Sequence, residues 1–318
     1  MVSETSQEPR PPASKLSAWY RATRPRVFVA SFVPMGVAAM LALEDGVFNL
    51  LYFLLALIGV MLLQTAANLV NEYADYRRGA DTLKEAGQGM AIKGQFLMPG
   101  EVLAGAVAST VGGSLIGLFL LAQSGPWLWV IGIGGVLVAI TYTAGPFPLA
   151  YNGLGEVAAG VFMGPMIVLG AYYVMNPDVS TQRALEVVLA SLPVMFTTAA
   201  ILHANNIRDL EADRAANKRT LAVIFGREAA RWEYKLLLAA CYVSQIGLVL
   251  AGLMPPLTLL SLLTVPEARR LSRVFDTETA VPPLHVAQGQ TARLHGRIGL
   301  LIVFGWAVWL LGSALLTA

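Results

Sequence analysis

The chain has 318 residues, of which 56% are hydrophobic and only 13% are charged. Because a typical soluble domain carries about 25% charged residues, a soluble enzyme, a disordered chain and a nucleic-acid-binding protein all fit this composition poorly. The formal net charge of +2 is too small to indicate a polyanionic partner. The single cysteine, Cys241, lies in an apolar run, which excludes a disulfide framework and a cysteine-based metal site.

Apolar segments follow one another along almost the whole chain. Residues 1–16 are polar and lack the apolar core of a signal peptide, so we interpret them as a short cytoplasmic tail. A helix that crosses a bilayer needs about 20 mostly apolar residues. The segments that satisfy this condition are about 25–43, 47–73, 101–123, 126–143, 153–175, 183–208, 232–252, 256–275 and 296–316. The sequence therefore predicts an all-α integral membrane protein of about nine transmembrane helices, with residues 17–318 as a single domain.

The basic residues predict the orientation of these helices. When the N-terminus is placed in the cytoplasm, every Lys and Arg except Arg183 falls on the cytoplasmic side, as the positive-inside rule requires. The two long loops, about 74–100 and 209–231, lie on the same side, and long loops tend to carry function. We therefore expect a multi-pass protein of the cell membrane with its active site at the cytoplasmic face.

Two stripes of acidic and amide residues lie at the cytoplasmic ends of the second and sixth predicted helices. Residues three and four apart share one face of a helix. The members of the two stripes are Asn68, Glu72 and Asp75, and then Asn205, Asp209 and Asp213. Mg²⁺ takes hard oxygen ligands and bridges carboxylates to substrate phosphates, so the two stripes can clamp a diphosphate through metal ions. Polar residues that merely mark the membrane interface would explain one stripe more easily than two, because the interval from Asn71 to Asp75 repeats that from Asn205 to Asp209.

Two other classes of membrane protein also use carboxylates. An ion-binding transporter would place its charges near the bilayer midplane, whereas these charges gather at one face. A CDP-alcohol phosphotransferase would carry one compact Asp-x-x-Asp-Gly motif, which is missing from this sequence. Both classes therefore fit less well than an enzyme that binds a diphosphate.

The stripes lie in two motifs, residues 68–81 and 203–213, that resemble those of the UbiA-type superfamily of membrane prenyltransferases, and the resemblance covers nearly the whole chain. Other segments are similar to the branch of that family that acts on 1,4-dihydroxy-2-naphthoate in menaquinone synthesis. These segments are 142–151, 153–156, 162–165, 217–222 and 291–295. The resemblance implies a UbiA-type bundle of nine helices, Mg²⁺ as the cofactor and a polyprenyl diphosphate as one substrate.

The resemblance also implies roles for individual residues. The expected metal ligands are Glu72, Asp75, Asp209 and Asp213. The expected contacts to substrate come from Arg24, Asn68, Asn71, Arg77, Lys93, Tyr151, Asn205, Arg208 and Lys218. Tyr142 is expected to stabilise the allylic cation through its aromatic face, and Glu156 to deprotonate or orient the phenolic acceptor.

The function implied is Mg²⁺-dependent transfer of a polyprenyl group from its diphosphate to 1,4-dihydroxy-2-naphthoate. The family resemblance implies that CO₂ is lost and that the product is a demethylmenaquinone precursor. The same transfer onto 4-hydroxybenzoate, homogentisate or a chlorophyllide remains open, because a few pocket residues can change the acceptor. The expected partners are therefore a polyprenyl diphosphate, an aromatic acceptor and the lipid bilayer, with no nucleic acid.

Overall fold

The computed structural model describes residues 14–79 and 90–317. Most of the predicted tail, residues 1–13, lies outside this described part. The helices are α1 (Lys15–Thr23), α2 (Val29–Glu44), α3 (Leu50–Arg77), α4 (Pro99–Gln123), α5 (Trp127–Thr141), α6 (Gly155–Val161), α7 (Ile167–Met175), α8 (Thr181–Ala190), α9 (Leu192–Arg208), α10 (Leu210–Ala215), α11 (Leu221–Phe225), α12 (Arg227–Leu250), α13 (Val265–Thr277) and α14 (Val281–Thr317). The described part contains no strand, so the predicted all-α class is confirmed there.

Several of these helices are long and apolar enough to cross a membrane. They are α3, α4, the combined segment Gly155–Met175, α12 and α14, and the bent pair α8 and α9 makes a sixth if it counts as one span. Helices α2 and α5 are apolar but shorter. The architecture is therefore that of a multi-pass membrane protein. The number of nine spans stays a prediction.

Three predicted spans are less regular than the sequence pattern indicated. The segment expected at 256–275 is a 3₁₀ helix, Pro256–Thr264, followed by α13. The segment expected at 153–175 contains a π-helical turn at Phe162–Met166, where Pro165 removes a backbone N–H from the helix. The segment expected at 183–208 bends by 43° between α8 and α9.

The second acidic motif also departs from one continuous helix. Helix α9 ends at Arg208, and α10 begins at Leu210, so the helix is interrupted at Asp209. The spacing nevertheless survives, because the Asp209 amide donates to the Asn205 carbonyl at 2.9 Å and the Asp213 amide to the Asp209 carbonyl at 2.7 Å. The three motif residues therefore still follow one another at helical intervals.

Close packing of glycines brings the long helices together. A side chain at Gly113 of α4 would meet Leu63 of α3 at 3.0 Å, and small residues allow such approach between membrane helices. A side chain at Gly305 of α14 would lie 2.2 Å from the Leu257 carbonyl oxygen. Helix α14 thus packs directly on the 3₁₀ segment, and it also packs along α2 and α9. This packing holds α3 and α9, which carry the two motifs, around a common cavity.

Candidate active site

A cavity of about 670 Å³ lies between the helices that carry the two motifs. Many of the residues predicted from sequence line this cavity. They are Arg24, Asn68, Asn71, Asp75, Tyr142, Asn205, Arg208, Asp209 and Lys218. The rest of its wall is largely apolar and includes Ile116, Leu120, Val136, Met163 and Val174. One end of the cavity therefore suits a charged group, and the remainder suits a hydrocarbon chain.

The last turns of α3 and the segment before α2 form one side of the polar end. Asn68 of α3 donates from Nδ2 to the Thr23 carbonyl at 3.0 Å, which fixes its amide. The next residue, Arg24, has a left-handed backbone with φ of 55° and lies between α1 and the 3₁₀ turn that follows. Its Nε is buried and makes no hydrogen bond to the described residues. The Arg24 guanidinium therefore lies in the cavity wall, where its Nε–H is an available hydrogen-bond donor.

Asp75 is the buried carboxylate of the first motif, with 1% of its surface exposed. It accepts a hydrogen bond from the Tyr151 hydroxyl at 2.8 Å. The Tyr151 ring lies under two cations, with the Arg78 guanidinium carbon at 4.8 Å and Lys218 Nζ at 5.5 Å from its centroid. Burial, and then the negative charge of Asp75, raises the pKa of the Tyr151 hydroxyl. Tyr151 is therefore a neutral donor that joins the first motif to the basic residues around it.

Arg78 connects the end of α3 to the loop that follows α5. It donates to the carbonyl of Thr143, and its Nη2 donates to the carbonyl of Gly145 at 3.0 Å. Tyr151 also accepts at its carbonyl from the Arg219 amide at 3.2 Å. The loop that carries Tyr142 and Tyr151 is therefore tied to both motif regions.

The second motif holds its charges in ion pairs. Arg208 donates to Asp209 through Nε at 2.7 Å and through Nη2 at 2.6 Å, and its Nη1 lies 3.1 Å from His285 Nδ1 of α14. Lys218 Nζ lies 3.5 Å from Asp213. Two basic residues are thus fixed beside the carboxylates. An incoming diphosphate can replace the carboxylates as the partner of these basic residues.

Several predicted site residues lie away from the cavity wall. Glu72 is buried, and its carboxylate accepts from the amides of Ala91 and Ile92, the latter at 3.0 Å. Arg77 and Lys93 are exposed. The structure therefore places Glu72 against the backbone that follows the first motif, and it does not bring Arg77 or Lys93 to the cavity. Tyr151, Glu156 and Asp213 lie behind the cavity-lining residues, within reach of them.

Glu156 belongs to a buried cluster that sequence reasoning did not assemble. Its carboxylate lies 3.0 Å from His203 Nδ1 and accepts from Asn206 Nδ2 at 2.7 Å. Glu233 of α12 lies 3.7 Å from the same His203 nitrogen. Of these residues, Asn206 alone lines the cavity. The sequence places His203 and Asn206 inside the second motif, but their partners come from α6 and α12, which no local pattern reveals.

Known proteins resemble this chain over most of its length. The sequence matches the UbiA prenyltransferase family over residues 31–279. It is 33% identical over 286 residues to a 1,4-dihydroxy-2-naphthoate octaprenyltransferase of Bacillus subtilis, a match that covers 90% of this chain and 91% of that one. The chain belongs to the UbiA prenyltransferase family. The expected enzyme class, an aromatic prenyltransferase, is confirmed by this membership and by the naphthoate relatives.

Two further family members show the range of the relationship. A UbiA prenyltransferase domain-containing protein 1 of Danio rerio is 34% identical over 298 residues, covering 92% of this chain and 84% of that one. A solved UbiA homolog from Archaeoglobus fulgidus, bound to DMAPP and Mg²⁺, superposes with a TM-score of 0.64. It is 16% identical and covers 90% of this chain and 99% of that one, so it shows a common fold.

Proposed function

We propose that this UbiA-family member transfers a polyprenyl group from its diphosphate to 1,4-dihydroxy-2-naphthoate, with Mg²⁺ as the cofactor and loss of CO₂. One observation supports this most directly. Oxygen-bearing side chains from α3 and α9 line the polar end of one cavity whose remaining wall is apolar. A diphosphate head and a hydrocarbon tail fit the two parts of that cavity.

The residues at the polar end suit a magnesium ion. Asp75 and Asp209 offer carboxylate oxygens, and Asn68, Asn71 and Asn205 offer amide oxygens in the same cavity wall. Mg²⁺ is bound in proteins by such oxygens together with substrate phosphates. We propose Asp75 and Asp209 as the direct ligands. Glu72 and Asp213 would support them, Glu72 by holding the backbone at Ala91 and Asp213 by holding Lys218.

Positively charged groups at the polar end of the cavity would favour departure of the diphosphate. When bound, Mg²⁺ supplies positive charge to the leaving group. The side chains of Arg24, Arg208 and Lys218 line the same wall and add to that electrostatic stabilisation. Apolar residues around the rest of the cavity would exclude water from the allylic cation, and Tyr142, which lines the same cavity, would stabilise it through its ring.

The choice of acceptor is supported by the relatives. The Bacillus subtilis protein is named for 1,4-dihydroxy-2-naphthoate, and it matches nine-tenths of this chain. We therefore propose that acceptor ahead of 4-hydroxybenzoate, homogentisate and a chlorophyllide. The donor and the metal are supported by the Archaeoglobus fulgidus homolog, which is described with DMAPP and Mg²⁺.

We also propose the arrangement in the membrane. Nine spans with a cytoplasmic N-terminus place both motifs at the cytoplasmic face of the cell membrane, and residues 17–318 form one domain. The distribution of basic residues supports this arrangement. Arg183, the one exception, pairs with Asp45 at 2.9 Å, so its charge is compensated on the opposite side.

The test is an assay of the purified protein with Mg²⁺, a polyprenyl diphosphate and each of the four acceptors. We expect a prenylated product from 1,4-dihydroxy-2-naphthoate alone, with release of labelled CO₂ from its carboxyl group and no product in excess EDTA. Product from another acceptor would reassign the substrate. Full activity in EDTA would overturn the role of the metal, and ion flux without any product would favour a transporter.

A further inference from the structure

Asn206 presents a polar group to the cavity and is a member of neither acidic stripe. It follows Asn205 on α9, is 5% exposed and lines the cavity. Its Nδ2 donates to Glu156 Oε1 at 2.7 Å. An ionised carboxylate only accepts hydrogen bonds, so the NH₂ group of Asn206 must face Glu156. No hydrogen bond from the described residues reaches the other end of the amide, the oxygen Oδ1.

His203 fixes the charge of this arrangement. Its Nε2 lies 2.8 Å from the Ala230 carbonyl, which can only accept, so this nitrogen carries a hydrogen. Its Nδ1 lies 3.0 Å from Glu156 Oε1, which leaves one proton between the imidazole and the carboxylate. Glu156 is 4% exposed, and its Oε1 is reached by both His203 Nδ1 and Asn206 Nδ2, which holds the carboxyl group in one place.

We propose that Glu156 and His203 are positioning residues that direct the carbonyl oxygen of Asn206 into the cavity, where it accepts a hydrogen bond from a hydroxyl of the aromatic acceptor. This inference rests on the proposed function, and it adds a residue that binds the acceptor. It replaces the expectation that Glu156 itself deprotonates the acceptor, because Glu156 lies behind Asn206 and outside the cavity wall.

The chemistry of the proposed reaction agrees with a site that has no base at the ring carbon. The bond from the first prenyl carbon to the diphosphate oxygen breaks, its electron pair leaves with the diphosphate, and a new carbon–carbon bond forms between that prenyl carbon and the ring carbon that bears the carboxylate. The bond to the carboxylate then breaks, its electron pair restores the aromatic ring, and CO₂ leaves in place of a proton. The hydroxyl beside that carbon needs orientation, which a fixed carbonyl oxygen supplies.

The test compares KM for the acceptor, KM for the prenyl diphosphate and kcat in variants of the purified protein. Asn206→Leu removes the carbonyl, and we expect the acceptor KM to rise about five- to tenfold, the effect of one neutral hydrogen bond. The KM of the prenyl diphosphate should stay within about twofold. Glu156→Leu should raise the acceptor KM by a similar factor, because the Asn206 amide is then free to rotate.

A conservative change separates positioning from proton transfer. In Glu156→Gln the amide oxygen can take the place of Oε1, which both Asn206 Nδ2 and His203 Nδ1 reach, and it still accepts from Asn206, so Asn206 keeps its orientation. We therefore expect nearly unchanged kinetic constants for this variant. A fall of about a hundredfold in kcat with an unchanged acceptor KM would show that Glu156 takes a proton, and it would overturn the inference. A rise in the KM of the prenyl diphosphate alone would also overturn it.

A double variant and a matched control complete the design. If Glu156 acts only through Asn206, the variant carrying both leucines should have the same acceptor KM as Asn206→Leu alone, whereas multiplied effects would contradict the inference. Asn206→Ala carries the same test if the leucine variant fails to fold. Gln245→Leu removes a buried amide that bonds to Thr258 and Ser261, away from the cavity, and should leave both KM values unchanged. Inactive wild-type protein would instead reject the proposed function.

Discussion

Tyr151 joins the two halves of the candidate site through a single side chain. Its hydroxyl donates to Asp75, and its ring lies beside Lys218, which follows the second motif. The sequence predicted Tyr151 as a substrate contact, but the structure places it one layer behind the cavity wall. Its effect on the substrate must therefore pass through Asp75 and Lys218.

Replacing Tyr151 with Phe tests this link. The change keeps the ring and removes the donor to Asp75. We expect kcat/KM for the prenyl diphosphate to fall about tenfold, which corresponds to about 1.4 kcal/mol. Because the pKa of the Tyr151 hydroxyl is raised, the wild-type group stays protonated across the assay range. The ratio of wild-type to variant activity should therefore be the same at about pH 6 and about pH 9, and a ratio that collapses at the higher pH would contradict a neutral donor.

Replacing Asp75 with Asn tests the charge of the first motif. The variant keeps an acceptor for Tyr151 and loses the carboxylate, so turnover should fall by at least about a hundredfold. Steady-state assays at saturating Mg²⁺ measure this fall. Asp178→Asn, at an exposed carboxylate in the segment between α7 and α8, is the matched control and should keep full activity. Equal activity of both variants would remove Asp75 from the proposed metal site.

Spacing on the chain allowed many of the cavity-lining residues to be predicted, and packing decided the others. Asn68, Asp75 and Asp209 follow helical intervals, so a local pattern was enough to bring them to the cavity. Glu72 keeps the same interval, yet the backbone at Ala91 returns to its carboxylate. Glu72 and Ala91 are distant in the sequence, and hydrophobic periodicity does not predict which distant segment packs against a given side chain.

At the scale of the elements, helices were predictable and their interruptions were not. The sequence predicts a span at 256–275, but its first part is a 3₁₀ helix packed against α14, and its second part belongs to α13 and carries Glu267, Arg269, Arg270 and Arg273. The interruption at Asp209 likewise leaves the helical spacing of the motif intact. Hydrophobic periodicity reports which face is apolar, whereas these interruptions depend on packing against other helices.

Gly305 provides a test of this packing. In Gly305→Ala the added methyl would lie 2.2 Å from the Leu257 carbonyl oxygen, and a backbone atom cannot move aside cheaply. Such overpacking costs about 1–3 kcal/mol, so the midpoint of thermal unfolding in detergent should fall. Gly312→Ala, in the same helix with no neighbour within 4 Å, is the control and should unfold at the wild-type temperature. An equal midpoint for both variants would mean that α14 does not lie against the 3₁₀ segment.

At the scale of the whole molecule, the proposed topology can be tested with single thiols. The one native cysteine, Cys241, is buried, and Cys241→Ala removes it. In that background, Asp178→Cys and Gln95→Cys each place one thiol at an exposed position. An impermeant maleimide should label the first in intact cells and the second only after the membrane is opened. Labelling of both in intact cells would contradict the arrangement of nine spans.

The size of the cavity has a consequence for how substrate reaches the enzyme. A volume of about 670 Å³ is within the range of sites that enclose a drug-sized molecule, whereas the tail of a long polyprenyl diphosphate exceeds such a molecule in length. For such a donor, the isoprene units beyond the cavity would continue among the acyl chains of the surrounding lipid. The enzyme would therefore sense the mole fraction of donor in the bilayer and not its bulk concentration. Diluting the donor with added lipid, at a constant total amount in the tube, should slow the reaction.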